Sequence, residues 1–125
     1  FTSDSIPVHL LTLEAFDLCL RHLKPDGVLC VHISNRHLDL EPVLRAAREH
    51  LGRHMFSVTS RDDNSGGSGA VWVVIARDPG LQDRIAVAIK ANALDAQGTV
   101  IKDMARGRVV RPWTDDFSNL FEVLQ

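Results

Sequence analysis

Asp115 and Asp116 are adjacent carboxylates that follow Trp113 near the end of the sequence. Two negative charges so placed can hold an ammonium group. With Thr114 as the cap they can equally be first-turn acids that favour a helix N-terminus. A second polar group, Ser34-Asn35-Arg36, directly follows an apolar run. Ligands of open α/β sheets bind beyond the carboxyl ends of the strands, and Asn35 there can hydrogen-bond one. The alternative is an ordinary loop before a helix capped near Asp39. Arg36 would repel a cationic substrate, so a structural ion pair suits it better.

Other candidates point to less chemistry. His9, His32 and His37 contain no pair at the i,i+4 spacing of a helical zinc site, and Cys19 and Cys30 form no close pair. No metal site is expected, and His32, inside an apolar run, reads as a hydrogen-bonded core residue. The Ser65–Gly69 loop lacks the terminal Gly-Lys-Ser/Thr of a phosphate loop and reads as a hairpin linker. Arg106, Arg108 and Arg111 read as a solvated face.

These residues need elements to position them. Leu13, Phe16, Leu20 and Leu23 repeat at helical spacing, with Thr12 as N-cap and Lys24-Pro25-Asp26-Gly27 as the stop. Val28 to Ser34 is nearly continuously apolar, as in strands covered on both faces. Leu40, Val43, Leu44, Ala47 and Leu51 define a second helix, with Pro42 in its first turn and Gly52 just past its end. Met55–Ser60 and Ala70–Ala76 are strand candidates joined by a polar, glycine-rich loop from Asp62 to Gly69, which predicts an antiparallel hairpin. A weaker helix runs from Leu81 to about Ala93 with Leu81, Ile85, Ala88 and Ile89 inward. Asp95 to Arg111 shows no clear period, and a helical turn closes the chain through Leu120, Phe121 and Leu124. The order is α/β.

Composition bounds the function. The 125 residues form one domain at most and bury roughly two thirds of their unfolded surface. A net charge of -2 argues against a nucleic-acid partner, which selects for a basic face. No apolar run approaches the roughly 20 residues of a membrane-spanning helix, and no signal peptide opens the chain. Two cysteines in apolar segments read as buried small hydrophobes in a reducing compartment, so a cytoplasmic location is expected. The first residue is Phe1 and not Met, so the chain reads as a piece of something longer.

Three motifs carry a resemblance. Lys24-Pro25-Asp26-Gly27-Val28-Leu29 resembles the turn before the fifth strand of class I S-adenosylmethionine-dependent enzymes, a Rossmann-like fold whose last two strands form an antiparallel hairpin. Thr2-Ser3-Asp4-Ser5-Ile6-Pro7-Val8-His9-Leu10-Leu11-Thr12 resembles the loop after the fourth strand of spermidine synthases. His32-Ile33-Ser34-Asn35-Arg36 and Trp113-Thr114-Asp115-Asp116-Phe117-Ser118 resemble the bacterial spermidine synthase-like domains often fused to transporter segments.

The resemblance implies that residues 1–125 are the C-terminal half of such a domain, ending in the hairpin. The glycine-rich turn and the ribose-binding acid of its nucleoside site lie on earlier strands and are not in this sequence. It implies aminopropyl transfer from decarboxylated S-adenosylmethionine, a co-substrate and not a prosthetic group, to putrescine. Asp4 matches the second acid of the family's catalytic turn, and the first would precede Phe1. Asn35, Asp115 and Asp116 become the substrate-binding candidates. If Asp4 and Ser5 only cap a turn, the functional reading of that loop falls. Fold does not fix function, so a methyltransferase is one alternative and a non-catalytic binding or assembly domain another. The implied partners are a polyamine, an upstream half-domain in the same or another chain, and a second copy in a homodimer; a membrane tether on the parent chain stays open. By itself the segment is expected to be inactive.

Overall fold

The computed structural model describes residues 8–35, 37–60, 69–91 and 98–124. Its first helix, α1 (Leu13–His22), starts where Thr12 caps it: the hydroxyl accepts from the Ala15 amide at 3.2 Å. A short 3-10 turn, Val8–Leu10, precedes it. The second helix, α2 (Glu41–Leu51), has Pro42 in its first turn and ends at Gly52 in the left-handed conformation, φ 59°. Glycine adopts that angle without a Cβ penalty, which is why the helix stops there. Asp39 lies just before α2 and accepts from the Glu41 amide at 3.2 Å. The third helix, α3 (Leu81–Ala91), has no fully buried residue. Leu81, Ile85 and Ile89 are half-buried, and Ala88 is exposed where the apolar spacing predicts an inward position.

Among the described residues four strands form one sheet: β1 (Leu29–His32), β2 (His54–Thr59), β3 (Val71–Ala76) and β4 (Val100–Asp103). Their order is β1-β3-β2-β4, and every adjacent pair is antiparallel. The expected hairpin is present as β2 and β3, paired from His54↔Ala76 to Thr59↔Val71. Because β1 and β2 each run antiparallel to β3, they run parallel to one another with β3 between them. The fourth strand falls in the stretch whose sequence has no clear period.

One sheet face carries Met55, Val73 and Ile75, with Leu29 and Val31 beside them. It packs into a core with Phe16 of α1 and with Val43, Leu44, Ala47 and Leu51 of α2. On the other face Phe56 and Val74 are buried, and His54 reaches α3 through Gln82 Oε1 at 2.9 Å. Toward β1 this second face opens: Cys30 and His32 are exposed, and Trp72 is 43% exposed, its ring 4.7 Å from that of His32. This corrects three expectations. The Val28–Ser34 run is not covered on both faces, His32 is not a core residue, and both cysteines are exposed. A strand at the end of a sheet can be apolar throughout while only one of its faces meets the core.

The tail after β4 crosses back over the helices. Met104 donates its amide to the Met55 carbonyl at 3.2 Å, Leu13 donates to the Trp113 carbonyl at 2.8 Å, and Asp39 donates to the Val123 carbonyl at 2.7 Å. Met104, Trp113 and Val123 are fully buried and complete the core. The expected closing helical turn is a 3-10 turn, Leu120–Val123. The tail arginines are only partly a solvated face. Arg108 donates to the Glu122 carbonyl, and the Arg111 guanidinium lies 3.9 Å from the Phe117 ring centre.

Entry into α3 is electrostatic. Asp78 accepts from the Gly80 amide at 2.8 Å and pairs with Arg84 Nη2 at 2.7 Å. The Arg84 hydrogen bond first, and the Gly80 amide second, hold its carboxyl below the usual aspartate range. A carboxyl depressed in the folded state stabilises it above the unfolded pKa, and that contribution is lost as pH falls through the folded value. A carboxyl-carbon NMR titration should therefore place the Asp78 midpoint below the ordinary value of about 3.9. Arg84→Gln should raise it; an unmoved midpoint would remove Arg84 as the cause.

Candidate functional site

The loop leaving β1 at its carboxyl end is fixed by side chains. Ile33 donates its amide to the Val71 carbonyl at 2.9 Å, and the Val71 amide donates to Ser34 Oγ at 2.7 Å. The serine hydroxyl thus takes a place that a backbone carbonyl would hold in a continuing ladder. Asn35 follows, and its Oδ1 accepts from the amides of His37 at 2.8 Å and Leu38 at 2.9 Å. This turn, closed by an asparagine side chain, orients the carboxamide and occupies its oxygen. The NH2 group has no partner among the described residues and can still donate to a ligand.

Asp115 and Asp116 do not start a helix. They form the tip of a two-residue turn closed by Thr114 and Phe117, whose amides and carbonyls exchange hydrogen bonds at 2.8 and 3.1 Å. The Thr12 hydroxyl donates to Asp115 Oδ1 at 2.9 Å, and the Asp115 amide donates to Glu14 Oε2 at 3.0 Å. Glu14 and the turn carrying Asp115 and Asp116 therefore meet at the N-terminus of α1, where the helix dipole favours negative charge. Asp115 is held by the fold; Asp116 is exposed and has no partner among the described residues.

Thr12 carries two jobs, capping α1 and anchoring the tail, from a position 1% exposed. Thr12→Ala should lower stability by roughly 1–2 kcal/mol, the upper part of the range for a lost N-cap. Thr12→Ser should keep most of it, as read by urea denaturation. Asp115→Asn keeps an oxygen that can accept from Thr12 and should cost less than Thr12→Ala. An Asp115→Asn loss equal to that of Thr12→Ala would mean the charge itself holds the tail.

Asn35 shares no hydrogen bond with either aspartate among the described residues. They are linked through the fold, since the tail that carries Asp115 and Asp116 goes on to meet Asp39, four residues past Asn35. Asp4 and Arg36 lie outside the described residues. Sequence patterning misses Glu14 and the Thr12–Asp115 pair, whose members stand 103 residues apart. Among the described residues no trio of His, Cys, Asp and Glu is placed to hold a metal ion. No helix among them is long and apolar enough to cross a membrane.

No family model, curated protein or solved structure matches the chain.

Proposed function

We propose that the chain is the C-terminal portion of a polyamine aminopropyltransferase-like domain with a Rossmann-like class I sheet. The observation that carries this is the strand arrangement: β1, α2 and β2 form a unit with parallel strands, β3 returns antiparallel between them, and β4 adds outside β2. That agrees with the closing hairpin which the sequence resemblance implies. It also leaves the outer edge of β1 open among the described residues, where an upstream strand of the nucleoside-binding half would pair.

In this reading the amine nitrogen of putrescine attacks the aminopropyl carbon bound to the sulfonium of decarboxylated S-adenosylmethionine. The N–C bond forms, the C–S bond breaks, and its electron pair leaves on sulfur as methylthioadenosine. The amine proton passes to a carboxylate, the role proposed for Asp4. Asp116 supplies the free charge for the distal ammonium, Asp115 sets the turn that presents it, and the Asn35 NH2 group is a donor to the nucleoside.

A product assay on the longest native chain containing this segment tests the reading. Methylthioadenosine is expected from decarboxylated S-adenosylmethionine with putrescine. Asp116→Asn should raise the KM for the diamine about tenfold, the lower end for losing a charged hydrogen bond. Asp4→Asn should abolish turnover. S-adenosylhomocysteine from S-adenosylmethionine and a mixed acceptor pool would replace the proposal with methyl transfer. No product from either donor would replace it with a binding or assembly role.

A further inference from the structure

At the opposite end of the sheet, where β2 begins and β3 ends, lies an open cavity of about 380 Å³. Its lining includes Arg48 on the last turns of α2, Arg53 and His54 just after the Gly52 turn, and Arg77 directly after β3. Glu49 is the one acidic residue in that lining. Three guanidiniums against one carboxylate leave a formal +2 with His54 neutral, in a chain whose net charge is -2.

These charges are not neutralised internally. Among the described residues no carboxylate stands within ion-pair distance of Arg48, Arg53 or Arg77. The Arg48 Nε is buried and has no hydrogen-bond partner among the described residues. His54 is held toward Gln82. The dipole at the C-terminus of α2 accounts for basic residues such as Arg48 and Arg53. It gives no reason for Arg77, which arrives from a different element. Three guanidiniums that line one cavity with a single carboxylate repel one another. An anion relieves that repulsion. Guanidinium groups match the oxygens of a phosphoryl group in planar, bidentate geometry, and a dianion cancels the +2.

We infer that this cavity is a binding site for a phosphate dianion, carried on a small molecule or free. The negative balance of the chain disfavours an extended polyanion. The site lies away from the Asn35 loop and depends on no part of the aminopropyl-transfer reading, so either can fail alone.

The test is a titration of the protein with inorganic phosphate at pH 8, with ionic strength held constant by sodium chloride. The Nε–H resonances of the arginines would be followed by ¹H–¹⁵N NMR. Saturable shifts are expected at Arg48, Arg53 and Arg77. Sulfate should reproduce them and chloride should not. Arg77→Gln, at an exposed position, and Arg53→Gln should each weaken binding at least tenfold, while Arg21→Gln on α1 should leave it unchanged. Tighter binding of glycerol phosphate than of phosphate would identify a monoester as the ligand; the reverse would identify the free ion. Shifts that fail to saturate, that chloride reproduces, or that survive in Arg77→Gln would overturn the site.

Discussion

Trp113→Ala should destabilise the fold by about 3–5 kcal/mol, the cost of deleting a large buried aromatic. Trp113 is fully buried in the core that joins α1, α2 and the sheet, and its carbonyl accepts from the first amide of α1. The loss is a large share of the roughly 5–15 kcal/mol that holds an ordinary domain together. Its indole N–H is buried without a hydrogen-bond partner among the described residues. Trp113→Phe therefore removes a polar group that contributes nothing, and should cost far less than the alanine change. Urea denaturation of the two variants checks this. Equal losses would show that the indole nitrogen has a partner that matters.

Gly107→Ala should cost roughly 1–3 kcal/mol, the range for a residue forced into a sparsely populated backbone region. Gly107 has φ 141°, and a Cβ there would stand 2.6 Å from the Arg45 Cζ. The end of an arginine can normally move aside, but this one is pinned. Its Nη1 donates to the Arg108 carbonyl at 2.8 Å and its Nη2 pairs with Glu41 at 3.2 Å, with the side chain only 6% exposed. Moving it would break the contact that fastens the tail to α2. In the double variant with Arg45→Ala the two losses should sum to less than additive, because one clash is then removed by either change. Strict additivity would show that the backbone angle alone sets the cost.

The parts of the fold governed by neighbouring residues are legible in the sequence. Thr12 before Leu13, Pro42 and Gly52 around α2, and the alternation of strand and loop from Met55 to Ala76 each act within a turn or two of the chain. What escapes depends on distant partners. Cys30 and His32 sit in an apolar strand, yet nothing in their own neighbourhood reveals that the sheet ends beside them. β4 is short and mostly exposed, so its pairing with β2 leaves almost no hydrophobic pattern. The candidate site divides in the same way. The turn at Asn35 is local but reads in the sequence only as a loop before a helix, whereas the clamp from Thr12 to Asp115 joins residues 103 positions apart. The arginine cavity draws on α2 and β3 together, and each arginine alone reads as an ordinary surface charge.

The position of β3 has a consequence for how the molecule assembles. Among the described residues β1 pairs only with β3, which lies some forty residues later in the chain and also pairs with β2. The hairpin closes a short loop and can form early, while seating β1 requires a much longer closure. Loop-closure entropy therefore favours pairing of β2 with β3 before β1 is seated. Ser34 accepts from the Val71 amide, so that end of the loop is held only while β1 sits on β3.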